Sequence, residues 1–169
     1  ASGAGAAAMT ELETQYAELG AGKEPTVAKF AFQLAYNVIP HIDVFTDNDY
    51  TKEEMKMFYE TRKIMHSDIE VSATCVRVPV PNGHGVSVVM RAGRDFKTEE
   101  VISALKAQEG IVLKEVPLCR DVCGTDWVAV GRVRKSAADE RELLLYCVAD
   151  NLLRGAAANA VKIAEGIFS

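Results

Sequence analysis

Residues 69–90 have the sequence IEVSATCVRVPVPNGHGVSVVM, in which two runs rich in β-branched residues flank a short turn. β-Branched side chains fit the pleated surface of a sheet. We therefore predict strands at residues 69–80 and 86–90, with the turn at Pro81, Asn82 and Gly83. If the turn is tight, the two strands are neighbours in one sheet.

Two titratable side chains, Arg77 and His84, fall in phase with apolar neighbours in these strands. Successive strand residues alternate between faces, so the pattern points both side chains toward the apolar side, with their backbones about 13 Å apart. An inward guanidinium needs an anion, either a protein carboxylate or a ligand, and both interpretations stay open at this point. A lone histidine is more often structural than catalytic.

The rest of the chain shows an irregular alternation of helix and strand patterns. Predicted helices cover residues 6–19, 52–65, 98–105 and 152–168, and predicted strands cover residues 111–113, 127–133 and 143–148. Thr51 and Glu54 have the spacing of a capping box at the start of the second helix. The last helix carries an apolar stripe with four alanines, which favours close packing on a sheet or another helix. No repeat or long linker is visible, so we expect one domain over residues 1–169.

Composition narrows the class of protein. The chain has 169 residues, 49% of them hydrophobic and 25% charged, with a net charge of −5, which is typical of one soluble globular domain. An acidic balance disfavours binding to nucleic acid or to an anionic membrane. Residues 1–8 lack a basic leader and a membrane-length apolar run, so we expect a cytoplasmic protein. A chain that opens on a glycine-rich turn is expected to be cut from a longer polypeptide.

The four cysteines do not form a metal-binding pattern. Cys75 and Cys147 lie in apolar runs, where a thiol packs as a small hydrophobe. Cys119 and Cys123 lack the further ligands of a zinc site, so we expect no metal. A disulfide between these two is geometrically possible, but nothing indicates export, and we expect reduced thiols.

Polar residues near two helix starts have both structural and functional interpretations. Glu53 and Lys56 share one helix face, where a solvated ion pair is the simplest explanation. Asp150 and Asn151 precede the last helix, where capping is the default role. The turn at residues 2–5 could contact a phosphate or an amide, but the signal is weak alone.

These segments together resemble the aspartate-semialdehyde dehydrogenase family from the first residues nearly to the last. The runs that carry the resemblance are SGAG at residues 2–5, YNVIPHID at 36–43, YTKEEMKM at 50–57, ETRKIM at 60–65, VSATCVRVPV through GH at 71–84, and DNL through GAA, Asn159 and IAE at 150–165. Six ordered matches over one chain make a chance similarity improbable.

The resemblance implies a reversible, NADP-dependent interconversion of aspartyl phosphate and aspartate semialdehyde, on the route to lysine, methionine and threonine. In the oxidative direction a cysteine thiolate attacks the aldehyde, hydride passes to the nicotinamide, and phosphate cleaves the acyl-thioester. It also implies an α+β fold like the C-terminal domain of glyceraldehyde-3-phosphate dehydrogenase. In that fold helices cover one face of a mixed, largely antiparallel sheet, and the other face forms a homodimer interface.

Site roles follow residue by residue from the resemblance. His84 matches the acid–base catalyst, and Arg77 matches the arginine that holds the substrate α-carboxylate. Glu53 matches the acceptor of the substrate ammonium, and Lys56 matches the lysine that helps to place the phosphate. Three positions match polar turns that lie toward the cofactor, namely Ser2, Gly3 and Asn151. His41 lies in a matching run but receives no catalytic role.

The sequence departs from the family pattern at several points. In the family, the nucleophile belongs to an Asn-Cys dipeptide that precedes the position of residue 1. A substrate-binding glutamine and the cofactor-binding domain precede it too. We therefore expect the isolated chain to be inactive. Gly85 stands where a serine commonly follows the histidine, and Asp47-Asn48-Asp49 has aspartate where glycine is frequent.

Two alternatives stay open. One is a non-catalytic dimerisation or regulatory module, although such a module has no evident need for all four of Glu53, Lys56, Arg77 and His84. The other is a related enzyme such as N-acetylglutamyl-phosphate reductase, which is disfavoured because Glu53 would recognise a free ammonium.

Overall fold

A computed structural model describes residues 1–168, and Ser169 lies outside the described residues. The chain divides into two compact units. The first consists of Ala1 and residues 3–81, and the second consists of Ser2 and residues 82–168.

The first unit is built on helix α1 (Ala6–Gly20), which follows a 3₁₀ turn at Ser2–Ala4. The predicted helix at residues 6–19 is therefore confirmed. Two polar residues share its buried face with two apolar ones. The buried positions are Ala8, Glu11, Leu12 and Gln15.

The polar side chains on α1 organise a segment that has no helix or strand of its own. Gln15 accepts hydrogen bonds from the backbone N–H groups of Leu34 and Ala35, both at 2.9 Å, and donates to the carbonyl of Thr26 at 3.0 Å. The Glu11 carboxylate accepts from the backbone N–H groups of residues 28–30. These bonds replace a sheet ladder and bring Leu34 and Ala35 onto Leu12 in the core.

Helix α2 (Lys52–Met65) is the second helix of this unit and begins with the predicted capping box. The predicted strand at residues 69–80 is wrong, because these residues pair with no neighbouring strand. Their side chains still alternate between half-buried and exposed positions over residues 71–78. A single antiparallel bridge joins Arg77 to Ile39. The segment is extended, as its β-branched residues favour, without a ladder partner.

The second unit contains a four-stranded sheet in the order β1-β4-β3-β2. Its strands are β1 (His84–Arg91), β2 (Ile111–Leu113), β3 (Val128–Lys135) and β4 (Glu142–Ala149). β4 pairs antiparallel with β1 and with β3, and β2 pairs parallel with β3. The predicted mixed, largely antiparallel sheet is thus confirmed, and the partner of β1 is β4.

Short helices pack on this sheet. Helix α3 (Thr98–Ala107) contacts β2 and β3, and helix α4 (Cys119–Val122) contacts β4. Val122 packs with Ala129 and Val148 in a small core. The side chain of Thr98 does not cap α3, whose N-cap residue is Lys97.

The predicted last helix is present as a π-helical turn at Leu153–Ala157 followed by α5 (Ala158–Phe168). Its predicted packing is not seen within the described residues, where Val161, Ile163 and Ile167 are all more than half exposed. None of the helices in residues 1–168 combines the length and the hydropathy that crossing a membrane requires.

Candidate functional site

The start of α2 positions two of the expected site residues. Thr51 accepts a hydrogen bond from the Glu54 backbone N–H at 3.3 Å, and the Glu54 carboxylate accepts from the Thr51 N–H at 2.8 Å. Both bonds of the predicted capping box are therefore formed. They fix the first turn, which places Glu53 and Lys56 on one face of the helix.

Glu53 and Lys56 form an ion pair with 2.8 Å between Oε2 and Nζ. The lysine side chain is 51% exposed and the glutamate side chain 30%. The hydrogen bond and the charge of Glu53 raise the pKa of Lys56. This is the solvated ion pair that the spacing alone predicts, and both charged groups remain accessible to a ligand.

Glu54 has a second role that the sequence did not indicate. Besides capping α2 through Oε2, it accepts a hydrogen bond from the Cys75 backbone N–H at 2.9 Å through Oε1. Hydrogen bonds from the backbones of Thr51 and Cys75 lower the pKa of Glu54 and keep it ionised. One carboxylate therefore ties the start of α2 to the segment that carries Arg77.

The surroundings of Cys75 also show that the start of α2 lies close to the segment of residues 69–80. Burial raises the pKa of the Cys75 thiol, and the carboxylates of Glu53 and Glu54 raise it further, while Lys56 opposes the change. A half-buried thiol beside two carboxylates stays protonated, so Cys75 is unsuited to act as a nucleophile.

Arg77 is held by its backbone, and its guanidinium keeps no ion-pair partner among the described residues of the first unit. The Arg77 N–H donates to the Ile39 carbonyl at 2.8 Å, and the Ile39 N–H donates back at 2.9 Å. The guanidinium carbon lies 5.5 Å from the centroid of the Phe30 ring. The sequence left open whether the anion for Arg77 is a protein carboxylate or a ligand. Pairing with a carboxylate of the same unit is not observed.

His84 is the first residue of β1, where it pairs with Ala149 on β4. Its side chain is exposed, which corrects the expectation that the strand alternation turns it toward a covered apolar side. Val86 and Met90, which follow in the same phase, are also about half exposed. Within the described part of the second unit the imidazole has no hydrogen-bond partner.

The turn before His84 is fixed by polar side chains. Gly83 has a φ of 97°, a conformation that favours glycine. Its N–H donates to the Asn82 carbonyl oxygen Oδ1 at 2.8 Å and to Asn151 Oδ1 at 3.2 Å. The backbone bends at Pro81 and Asn82, which is consistent with the predicted turn at residues 81–83.

Ser2 and Asn151, two of the three residues expected near the cofactor, contact one another. Ser2 is buried, and its hydroxyl donates to Asn151 Oδ1 at 2.6 Å. The Gly83 N–H can only donate, which assigns Oδ1 to this side of the Asn151 amide. The Asn151 Nδ2 group therefore has no partner among the described residues and remains a free donor. Gly3 lies in the first unit and is exposed.

The structure brings the expected residues into two groups. Glu53, Lys56 and Arg77 belong to the first unit, and Ser2, His84 and Asn151 belong to the second. Their convergence at one site stays a prediction. An open cleft of about 370 Å³ in the first unit is lined by Asp49, Tyr50, Glu54, Ser72, Ala73 and Thr74, and by none of the expected residues.

Metal-ligating residues do not cluster in residues 1–168. No group of three or more histidine, cysteine, aspartate or glutamate residues there is arranged to hold an ion. All four cysteines are free thiols. Burial is the main reason why the pKa values of the Cys119 and Cys147 thiols are raised.

Known proteins resemble this chain in sequence and in structure. The model of the semialdehyde dehydrogenase dimerisation domain matches residues 1–154. The chain is 48% identical to aspartate-semialdehyde dehydrogenase of Aquifex aeolicus over 97% of the chain and 51% of the relative. It is 42% identical to that of Campylobacter jejuni over 98% of the chain and 50% of the relative.

Solved structures give the same result. Aspartate semialdehyde dehydrogenase II of Vibrio cholerae, complexed with ASA, superposes with a TM-score of 0.94 at 45% identity. The match covers 97% of this chain and 50% of that protein. A probable aspartate-semialdehyde dehydrogenase of Pseudomonas aeruginosa superposes with a TM-score of 0.91 at 29% identity over 95% of this chain and 50% of that protein.

The fold and the family match define the class of this protein. The chain belongs to the family of semialdehyde dehydrogenase dimerisation domains. The relatives and solved structures that it matches are aspartate-semialdehyde dehydrogenases, which are oxidoreductases, and the chain spans about half of their length. The predicted family and the predicted fold class are thereby confirmed.

Proposed function

We propose that this chain is the substrate-binding and acid–base half of an NADP-dependent aspartate-semialdehyde dehydrogenase. The full enzyme would interconvert aspartyl phosphate and aspartate semialdehyde in lysine, methionine and threonine biosynthesis in the cytoplasm. The observation that carries the proposal is the superposition, over 97% of the chain, on a solved aspartate semialdehyde dehydrogenase complexed with ASA.

His84 is proposed as the acid–base catalyst. Its imidazole is exposed and has no hydrogen-bond partner within the described part of its unit, so both ring nitrogens are open to a reacting group. It would accept the proton of the catalytic thiol, which the resemblance places upstream of residue 1, and return a proton in the reverse direction.

Arg77 is proposed to bind the substrate α-carboxylate. A guanidinium offers parallel N–H donors that match the two oxygens of a carboxylate. Because Arg77 has no acidic partner within the first unit, a substrate would not have to displace one. The bridge to Ile39 and the contact with Phe30 restrict where the side chain can lie.

Glu53 and Lys56 are proposed to bind the substrate ammonium and the phosphate. The observed ion pair between them does not oppose this role, because an exposed pair contributes only about 0–1 kcal/mol and rearranges easily. A ligand that carries both an ammonium and a phosphoryl group could engage each member with its opposite charge.

Ser2, Gly3 and Asn151 are proposed to contact NADP, which the upstream domain would hold in the main. When bound, NADP supplies the hydride acceptor or donor of the reaction. The free Nδ2 donor of Asn151 fits such a group, since it can donate to a cofactor oxygen while Oδ1 stays bonded to Ser2 and Gly83.

We also propose a homodimer formed through the sheet, in keeping with the dimerisation-domain family. β1 is an edge strand, and Val86, Val89 and Met90 on it are between 49% and 63% exposed. An edge strand with uncovered apolar residues favours pairing or burial against another surface. A charged substitution such as Val86→Glu should shift the protein toward the monomer in sedimentation velocity.

A non-catalytic module remains the second candidate, because the Glu53–Lys56 pair is also what a plain helix surface would contain. The two candidates differ in a direct assay. The chain is joined to its upstream half, and phosphate-dependent reduction of NADP is measured with aspartate semialdehyde, with NAD tested beside it.

We expect turnover from the joined enzyme, none from the isolated chain, and severe losses in His84→Ala and in Arg77→Ala. The matched controls are His66→Asn and Arg94→Ala, which change exposed residues of the same types. Wild-type rates from both site variants would remove the assignment and favour the non-catalytic module.

A further inference from the structure

Asp150 does more than cap the helix that follows it. The carboxylate is almost fully buried, with 2% of the residue exposed, directly after β4. Its Oδ1 accepts the backbone N–H groups of Leu152 and Leu153 at 2.8 and 3.1 Å, which is the expected cap. Its Oδ2 accepts two other bonds, so half of the carboxylate serves a different purpose.

Oδ2 of Asp150 holds two separate loops. It accepts the side-chain Nδ2 group of Asn82 at 2.9 Å and the backbone N–H of Gly124 at 2.9 Å. Because Nδ2 of Asn82 is committed to Asp150, the Asn82 carbonyl oxygen faces the Gly83 N–H. Asp150 therefore sets the orientation of the amide that shapes the turn before His84.

The next residue closes the same turn from the other side. Asn151 accepts from both the Gly83 N–H and the Ser2 hydroxyl. Two consecutive residues, Asp150 and Asn151, thus hold the residue immediately before His84. A shift of Asp150 would move the proposed acid–base residue and a proposed cofactor contact together.

The network is built around an acceptor-only side chain at position 150. Four N–H donors converge on two oxygens, and no lysine or arginine among the described residues forms an ion pair with them. Burial alone would raise the pKa of Asp150, but the hydrogen bonds from Gly124, Leu152, Leu153 and Asn82 outweigh it and lower the pKa. An amide in place of the carboxylate would point its own NH₂ group at two of these donors.

We infer that Asp150 is a positioning residue that fixes His84 and Asn151 in one arrangement through Asn82 and Gly83. The inference rests on the proposed function, because His84 and Asn151 take their chemical roles from it. Asp150 touches neither substrate nor cofactor in this scheme, and its effect should appear in turnover rather than in substrate binding.

The test uses the joined enzyme and three variants, namely Asp150→Asn, Asn82→Ala and the double variant Asp150→Asn/Asn82→Asp. Asp150→Asn should lower kcat on the order of 10- to 100-fold, the scale of a misplaced catalytic group, with KM for aspartate semialdehyde little changed. Asn82→Ala leaves the helix cap intact and should give a loss of similar size. Asp121→Asn, an exposed carboxylate of the same unit, is the matched control.

The double variant separates positioning from simple loss of structure. The new amide at position 150 can donate to the new carboxylate at position 82, whose second oxygen still accepts from Gly83, while the Gly124 N–H loses its acceptor. We expect kcat to recover part of its loss and the pH profile to return toward wild type. Asn82→Asp alone would place two carboxylates 2.9 Å apart, so its activity should improve as the pH falls.

The outcomes are distinguishable from failure of the proposed function. If His84→Ala keeps wild-type turnover, the proposed function and this inference both fall. If His84→Ala is crippled while Asn82→Ala keeps wild-type kcat and pH profile, the positioning role alone is overturned. Absence of any recovery in the folded double variant also overturns it, and Asn82→Ala decides the case if Asp150→Asn does not fold.

Discussion

The two units use different devices to hold chain segments together. In the second unit, β1 and β4 pair over eight consecutive residues, so backbone groups satisfy one another. In the first unit, residues 26–35 and 69–80 form no ladder, and buried side chains of helices satisfy their backbone groups instead. Gln15 and Glu11 serve the earlier segment, and Glu54 serves the later one.

This difference determines how each unit should respond to substitution. A ladder has many equivalent bonds, so one altered side chain leaves the backbone pairs in place. A side chain that satisfies several backbone groups leaves all of them unpaired when it is removed, and an unpaired buried polar group is costly. The first unit should therefore be most sensitive at polar positions, and the sheet of the second unit at positions where backbones approach closely. Asp150, which accepts from three backbone N–H groups, is the polar exception in the second unit.

Gln15→Leu should give the largest effect. The leucine fills a similar space but leaves two N–H groups and one carbonyl of residues 26–35 without partners. At about 1–3 kcal/mol for each orphaned group, the expected loss is about 3 kcal/mol or more. Urea unfolding measures the loss, and hydrogen exchange should rise at the amides of Leu34 and Ala35.

The control for this substitution is Glu13→Leu, which makes the same residue at an exposed position of α1. It should change stability by less than about 0.5 kcal/mol. Equal effects of the two variants would show that Gln15 does not organise the segment.

The same contrast explains which elements the sequence could predict. The strands β2, β3 and β4 follow from apolar runs, and the capping box at Thr51 and Glu54 is a local pattern with a local result. Residues 69–80 have equally strong β-branched composition but no ladder partner, because their bonds go to Ile39 and Glu54. Strand composition predicts an extended backbone and does not identify its partner.

The residues of the candidate site were predictable from the sequence, but the contacts that support them were not. The resemblance supplied the expected residues, whereas the supporting contacts depend on residues far apart in the chain. Asp150 and Asn82 are 68 positions apart, and no periodicity links them. The sequence did contain a signal that Glu11 and Gln15 face the core. They lie four residues apart and in phase with Ala8 and Leu12 on the helix.

Gly131→Ala should give the second largest effect, in the sheet. A Cβ atom there would overlap the Lys114 carbonyl oxygen and lie 2.6 Å from Cδ of Pro117. Neither atom is the end of a flexible side chain, so the backbone must shift, at about 1–3 kcal/mol. Gly93→Ala, with open space around the added carbon, is the control, and equal urea midpoints for the two variants would contradict the argument.

Glu54→Gln should give a smaller and pH-dependent loss. The pKa of Glu54 is lowered in the folded state, so its charge stabilises the fold at pH values above the ordinary glutamate pKa of the unfolded chain. That contribution disappears as the pH falls through the lower folded value. The difference in urea midpoint between wild type and variant should therefore be present at pH 7 and shrink on acidification. Glu24→Gln, at an exposed position, should show no such trend.

Lys56→Met should have the smallest effect on stability and is the most informative about the site. The exposed pair with Glu53 contributes little, so the change should stay within about 0.5 kcal/mol. If Lys56 is only a surface residue, its replacement should leave the kinetics of the joined enzyme unaltered. If Lys56 binds phosphate, its replacement should raise the KM for phosphate. We expect the rise in KM, with Lys52→Met on the same helix as the exposed control. An unchanged KM would show that the Glu53–Lys56 pair is a surface ion pair. The phosphate would then have to be bound by other residues.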